Sequence, residues 1–477
     1  MKLTTCTVLL CLALIGCQSP TPKAQQTDTD EIAQSEWQIA QKQVIDAVRE
    51  RQFDDAAAQL ATMIDKAGDE DSQWQYIRMV LAVLPSEQAM PLIQQAINRP
   101  VIQQSQAHLL AFSRLLMQHK DLAAALPLSN QAVALDKSEA AVYWRARLLA
   151  VAKDFLSAEQ DYRWLLQQST DNTDYISQYA ALKMQQGDLA AAEDILKIHS
   201  EEPRLLYQYI LILLQQEKTE QAKQQYQQLM ALINRQILTP EEKLDYGEVA
   251  LWLSDYDTAL SLLSDVNDAQ HIYAAKLLLA RVYLKQDNPD RAMVLFKQVQ
   301  NAPPEYAVPA FQMAAEYHYE QTDAEQAIAE LSEGLRFFKD QPDLLYSRAL
   351  LYAQEQQVAA AEKDLNKIIE QQPDHADALN ALGYTWADND MNLDQALDYI
   401  ERANELKPDN SAILDSLGWV HYKRGDLLKA EHFLRESLRQ PGVSAETYEH
   451  LIVVLEAQNK ANEADLIRQK LKAFLAD

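Results

Sequence analysis

Residues 373–406 read PDHADALNALGYTWADNDMNLDQALDYIERANEL, and residues 408–440 read PDNSAILDSLGWVHYKRGDLLKAEHFLRESLRQ. The two segments share one skeleton. Leu382-Gly383-Tyr384 stands opposite Leu417-Gly418-Trp419, Ala396 opposite Ala430, and Ile400 opposite Leu434, with Pro373 and Pro408 at the same boundary. In the second copy Leu414, Leu417, Gly418 and His421 fall at i, i+3, i+4 and i+7, one face of a helix. Ala430, Phe433, Leu434 and Ser437 do the same for the next helix. The unit is therefore a helix, a turn and a second helix. Small residues at Gly418 and Ala430 let the two helices approach closely.

Working outward with the alanine as a ruler gives Ala56, Ala89, Ala125, Ala158, Ala192, Ala222, Ala259, Ala292, Ala327, Ala361, Ala396, Ala430 and Ala464, thirteen positions with a mean spacing of 34 residues. Single intervals range from 30 (Ala192 to Ala222) to 37 (Ala222 to Ala259). This pattern resembles the tetratricopeptide repeat family, with Leu-Gly at positions 7 and 8, an aromatic residue near 11, Ala at 20 and Pro at 32. The resemblance implies an all-α fold, a right-handed superhelical solenoid of about 13 helix-turn-helix repeats. Position 16 is Asp or Asn in eight of them (Asp121, Asp154, Asp188, Asp255, Asn288, Asp323, Asn392 and Asp426), the residue types that cap a second helix.

The composition agrees with a helical array. The chain has 477 residues and nine glycines, about 2% against the usual ~7%. That scarcity leaves few positions for phosphate-cradling loops or left-handed turns. The glycines beyond Gly16 fall at repeat positions, with Gly247, Gly383 and Gly418 at 8 and Gly187 and Gly425 at the turn position 15. With 43 basic against 70 acidic residues and a net charge of −27, the chain lacks the basic footprint that a nucleic acid demands.

At the N-terminus, Lys2 precedes an apolar run from Val8 to Ile15. The run is too short for the ~20 residues of a membrane span and has the form of a secretion signal. Leu14-Ile15-Gly16-Cys17 resembles a bacterial lipobox. The resemblance implies removal of residues 1–16 as a lipoprotein signal peptide, lipidation of Cys17, and, through Gln18 at the following position, sorting to the periplasmic face of the outer membrane. Cys6 and Cys11 leave with the signal, so no thiol remains for a disulfide, a zinc site or a nucleophile. Each buried lipid methylene contributes ~0.8 kcal/mol to anchoring. Residues 17–35, the lipidated cysteine and a polar stretch with Pro20 and Pro22, read as a flexible tether reaching about 25 Å. Beyond it, residues 36–272 form a divergent array and residues 273–477 a well-matched one.

Asp388-Asn389-Asp390-Met391-Asn392-Leu393-Asp394 opens like a calcium loop, but Leu393 stands where the sharp turn wants Gly and Tyr399 where a bidentate Glu belongs. The repeat explains the stretch as an interhelical turn one residue longer than usual, ending in the cap Asn392. No metal, catalytic set or small-molecule cofactor is expected, and the chain reads as a non-enzyme. In the family the first helix of each repeat lines the concave face. By that resemblance the candidate partner-binding residues are Asp377, Asn380, Tyr384, Asp388, Asp415, Trp419, Tyr422 and Lys423, aromatic and polar groups suited to a peptide groove. Tyr384 and Trp419 have a competing role as filler between repeats. Asp415 and Trp419 stand where carboxylate-clamping members carry Lys and Asn, which argues against that clamp.

Segments 378–384 and 412–419, read with the lipobox and the repeat number, also resemble large proteobacterial lipoproteins of this family. Those bind and activate a periplasmic C-terminal processing protease and present cell-wall hydrolases to it. The implied function is a membrane-tethered protein-interaction scaffold of that kind. The alternative is an assembly lipoprotein for a pilus secretin or an outer-membrane barrel complex.

Overall fold

The computed structural model describes residues 28–475, which are helical throughout apart from turns and short connections. The lipidation site Cys17 and the signal segment lie outside the described residues. Helices pair consecutively into thirteen hairpins, from Asp28–Arg49 with Phe53–Lys66 to Ala445–Ala457 with Ala461–Phe474. One extra short helix, Pro100–Gln103, precedes the third pair. The first helix starts at Asp28, within the stretch that composition assigns to the tether.

Every alanine of the ruler is fully buried, at 0% exposure in all thirteen repeats. The reason is steric, because position 20 lies where the second helix crosses the first. A side-chain carbon added at Gly418 would stand 2.5 Å from Leu434 Cγ, and one at Gly383 would stand 2.8 Å from the Ala396 carbonyl oxygen. Both the expected closeness and its residue types are therefore present.

The turns correct the glycine argument. Residue 15 has positive φ in eleven repeats, yet only Gly187 and Gly425 are glycine there; Arg51, Lys120, Lys153, Glu217, Ser254, Asp287, Thr322, Gln356 and Asn459 hold the same conformation. A backbone motif holds them left-handed, in which the residue-16 N–H returns to the carbonyl of residue 11. Examples are Asp121 to Leu116 (2.9 Å) and Asp426 to His421 (2.9 Å). Left-handed turns are thus abundant in a glycine-poor chain. Six of the eight position-16 side chains cap as expected, for instance Asp121 on the Ala124 N–H and Asp426 on the Lys429 N–H. Asn288 and Asn392 make no side-chain cap. Asn392 is itself left-handed (φ 45°), since the longer turn spends its extra residue there.

The chain divides into two compact units at Gln236 and Ile237. This boundary falls between repeats 6 and 7, ahead of the point where the sequence match improves. Helix lengths account for the irregular spacings on either side of Ala222. The second helix of repeat 5 has only 10 residues (Leu189–Ile198), whereas that of repeat 6 has 15 (Thr219–Ile233) and is followed by a connection to Pro240. Within repeats 2–6 and within repeats 7–13, the first helix of each repeat packs on the first helix of the next. Among the described residues, second helices meet closely in this way only between Phe53–Lys66 and Ser86–Ile97. First helices therefore form the inner side of each stack.

Candidate functional site

Three first helices, Ala376–Asp388, Ser411–Lys423 and Ala445–Ala457, build the candidate site in the second unit. The first two start at side-chain caps, His375 Nδ1 accepting from the Ala378 N–H and Asn410 Oδ1 from the Ile413 N–H. Gly383 and Gly418 seat them against their own second helices. Their inner faces are then close enough for side chains to bridge repeats.

Trp419 is the hub. Its ring stacks on His450 at 4.0 Å and 15°, and on Tyr422 at 5.0 Å and 24°. Its Nε1 donates to Asp388 Oδ1 at 3.1 Å. Lys423 lies 5.4 Å from the Trp419 ring centroid and donates to the Asp388 carbonyl (3.0 Å) and to Asp390 Oδ1 (3.1 Å). On the other side, His450 Nδ1 stands 3.1 Å from both oxygens of Asp415, a carboxylate only 5% exposed. Tyr384 donates its hydroxyl to Glu446 and lies 6.2 Å from the His450 ring. Burial, aided by the Glu446 carboxylate, pushes the Tyr384 phenol well above its usual range, so it serves as a donor.

Six of the eight residues named from the sequence thus come together: Tyr384, Asp388, Asp415, Trp419, Tyr422 and Lys423. Asp377 stands apart, paired with Lys407 of its own repeat at 2.6 Å with both side chains partly exposed. Asn380 is half-buried, and its Oδ1 is buried without a hydrogen-bond partner. Sequence reading missed His450, Glu446 and Asp390. His450 occupies position 6 of repeat 13, one residue off the concave-face positions and one repeat beyond Trp419. Asp388 and Asp390, the first carboxylates of the calcium-like stretch, accept from Trp419 and Lys423. His421 is 3% exposed and stacked on Phe433 at 5.5 Å, and burial holds its pKa below the usual histidine range.

Trp419 is both filler and surface, since it packs against the core while keeping part of its ring accessible. Truncating a fully buried Trp costs about 3–5 kcal/mol. For this partly buried hub, Trp419→Ala is expected to cost about 2–3 kcal/mol. The loss should appear as faster amide exchange in helices 376–388, 411–423 and 445–457, with the first unit unchanged.

Among the described residues, no group of three His, Cys, Asp or Glu side chains is placed to hold a metal. No described helix is long and apolar enough to cross a membrane. The site offers stacked aromatic faces, a rim of carboxylates and one ammonium, which suits binding.

Residues 313–376 and 346–411 match the family model described as tetratricopeptide repeat. A "TPR repeat-containing protein PA4667" of Pseudomonas aeruginosa is 35% identical over 194 residues, which is 41% of this chain and 33% of that protein. The bacteriophage adsorption protein A of Escherichia coli K12 is 31% identical over 90 residues, 19% of this chain and 9% of that protein. The chain therefore spans a third or less of the length of these curated relatives. Among solved structures, a tetratricopeptide repeat protein from Parabacteroides merdae aligns with TM-score 0.40 and 18% identity, covering 49% of this chain and 92% of that one. The Cut9–Hcn1 complex aligns with TM-score 0.38 and 15% identity over 93% of this chain and 94% of its own.

Proposed function

We propose that this chain, which carries tetratricopeptide repeats, is a lipid-anchored scaffold on the periplasmic face of the outer membrane, serving as adaptor for a C-terminal processing protease and its cell-wall hydrolase substrates. Tetratricopeptide arrays bind protein partners and are generally non-catalytic. The observation that carries the scaffold reading is the aromatic and carboxylate cluster centred on Trp419. It is shared by three successive repeats and partly open on the inner side of the stack. Surfaces of this type, rigid aromatic bodies with polar edges, are where binding energy concentrates.

The anchor is assigned to Cys17 by the Leu14-Ile15-Gly16-Cys17 motif. The choice of a processing protease rests on segments 378–384 and 412–419. The reading is tested by affinity capture of the full lipidated chain from detergent-solubilised membranes. Recovery of a C-terminal processing protease together with a cell-wall hydrolase supports it. Recovery of other proteins with neither of these counts against it, and a secretin or barrel subunit among them turns the assignment to assembly.

A further inference from the structure

The inner side of the first unit carries a different chemistry. Repeats 2, 3 and 4 place an arginine at position 9: Arg78 on Asp71–Leu81, Arg114 on Gln106–Gln118 and Arg147 on Glu139–Val151. These helices touch one after another along the stack. Arg114 and Arg147 are exposed, and the guanidinium carbon of each lies 5.5 Å from the centroid of the same ring, Trp144. Arg78, at the end of the row, is partly buried: it lies 6.0 Å from the centroid of the buried Phe112 ring, with its Nη1 3.2 Å from His108 Nδ1. Trp144 is fixed from below, its Nε1 donating to Ser113 Oγ (2.8 Å), which donates to the Ala125 carbonyl (2.8 Å).

Neither Arg114 nor Arg147 has an ion-pair partner among the described residues, in a chain with 70 acidic side chains. The neighbouring acids are engaged elsewhere. Glu139 accepts from Ser169 and Tyr175 at 3.0 Å each, and Asp174 is paired with Arg204 at 2.6 Å, while the exposed Asp71 sits beside Arg78 and faces His108 Nε2 at 3.4 Å. Two cations beside one aromatic ring repel each other, and an incoming carboxylate relieves that repulsion. A guanidinium stacked on a ring keeps its forked edge outward for bidentate contact with a carboxylate.

We infer that this ladder docks an extended acidic polypeptide segment whose carboxylates recur every third residue. Packed neighbouring helices lie about 8–10 Å apart. A polyproline-type chain has three residues per turn and rises 3.1 Å per residue, so side chains at i, i+3 and i+6 line one side about 9 Å apart. The two spacings match. The partly accessible Trp144 ring between Arg114 and Arg147 suits an apolar residue of such a segment, and the inner side of a helical stack admits a single chain more readily than a flat bilayer. The inference concerns the ligand chemistry of the first unit and stands apart from the protease assignment.

The test uses the full chain and a labelled twelve-residue peptide repeating Glu-Pro-Ala, read by fluorescence anisotropy at low salt. A Lys-for-Glu peptide and vesicles of phosphatidylglycerol complete the set. Native chain is expected to bind the Glu peptide and not the Lys peptide, with affinity falling as salt rises. Arg114→Gln with Arg147→Gln is expected to weaken binding about tenfold while leaving the thermal transition in place, since both side chains are exposed. Equal binding by native chain and variant overturns the proposal. So does absence of peptide binding, whether or not the vesicles bind through these arginines.

Discussion

Replacing Asp364 by Ala is expected to remove about 3 kcal/mol of stability from the second unit, a large loss for a surface-remote substitution in a repeat array. Asp364 is 4% exposed and accepts a forked pair of bonds from Arg348, Nε to Oδ2 at 2.7 Å and Nη2 to Oδ1 at 2.9 Å. Arg348 also donates to Ser332 Oγ of the preceding repeat at 2.9 Å, so the pair ties two repeats together. Removing the carboxylate leaves a guanidinium in a site with a side-chain exposure of only 19%. Breaking fully buried pairs costs about 3–5 kcal/mol, and the residual exposure places this one near the lower end.

The same reasoning gives the opposite result for the double replacement. Arg348 and Asp364 occupy positions 7 and 23, where repeat 12 has the apolar Leu417 and Phe433. Arg348→Leu with Asp364→Leu is therefore expected to stay within about 1 kcal/mol of the native chain. Urea unfolding of the full chain, with amide exchange over helices 342–354 and 358–371, checks both outcomes. A loss under about 1 kcal/mol for Asp364→Ala would show that water already reaches the pair.

That pair also shows how far the sequence could be read. Arg145 and Asp161 form the same arrangement at the same two positions of repeat 4, at 2.8 and 2.6 Å. Two Arg and Asp pairs sixteen residues apart were visible in the chain, but a ruler built on consensus positions passes over residues that depart from it. The alanines were legible because steric exclusion at a helix crossing leaves one residue type. The left-handed turns were not, because backbone hydrogen bonds enforce them with little regard to the side chain at position 15. Glycine therefore reported the crossings at Gly383 and Gly418 and failed to report the turns.

The candidate site was legible to a similar degree and for a related reason. Trp419, Tyr422 and Tyr384 stand out by type and by helix face. Their partner His450 lies a full repeat further on, and only the packing of successive first helices brings it to 4.0 Å from Trp419. Asp377 has the same face position as its neighbours but is drawn aside by Lys407, a long side chain from the end of the second helix. The arginine ladder was equally present in the chain. It follows from applying the face positions to the divergent early repeats as well as to the well-matched late ones.

The largest expected effect belongs to the proposed function itself. A scaffold that holds a protease and its substrate together replaces a bimolecular encounter by an effectively intramolecular one, with local concentrations that reach the millimolar range for short flexible connections. The most direct measurement is a reconstitution with purified C-terminal processing protease, a purified cell-wall hydrolase and the purified chain at micromolar concentration, following disappearance of the hydrolase with time. Slow loss is expected with protease alone, loss accelerated at least about tenfold when the chain is added, and none with the chain alone. A hydrolase that disappears at the same rate with and without the chain would contradict the adaptor assignment.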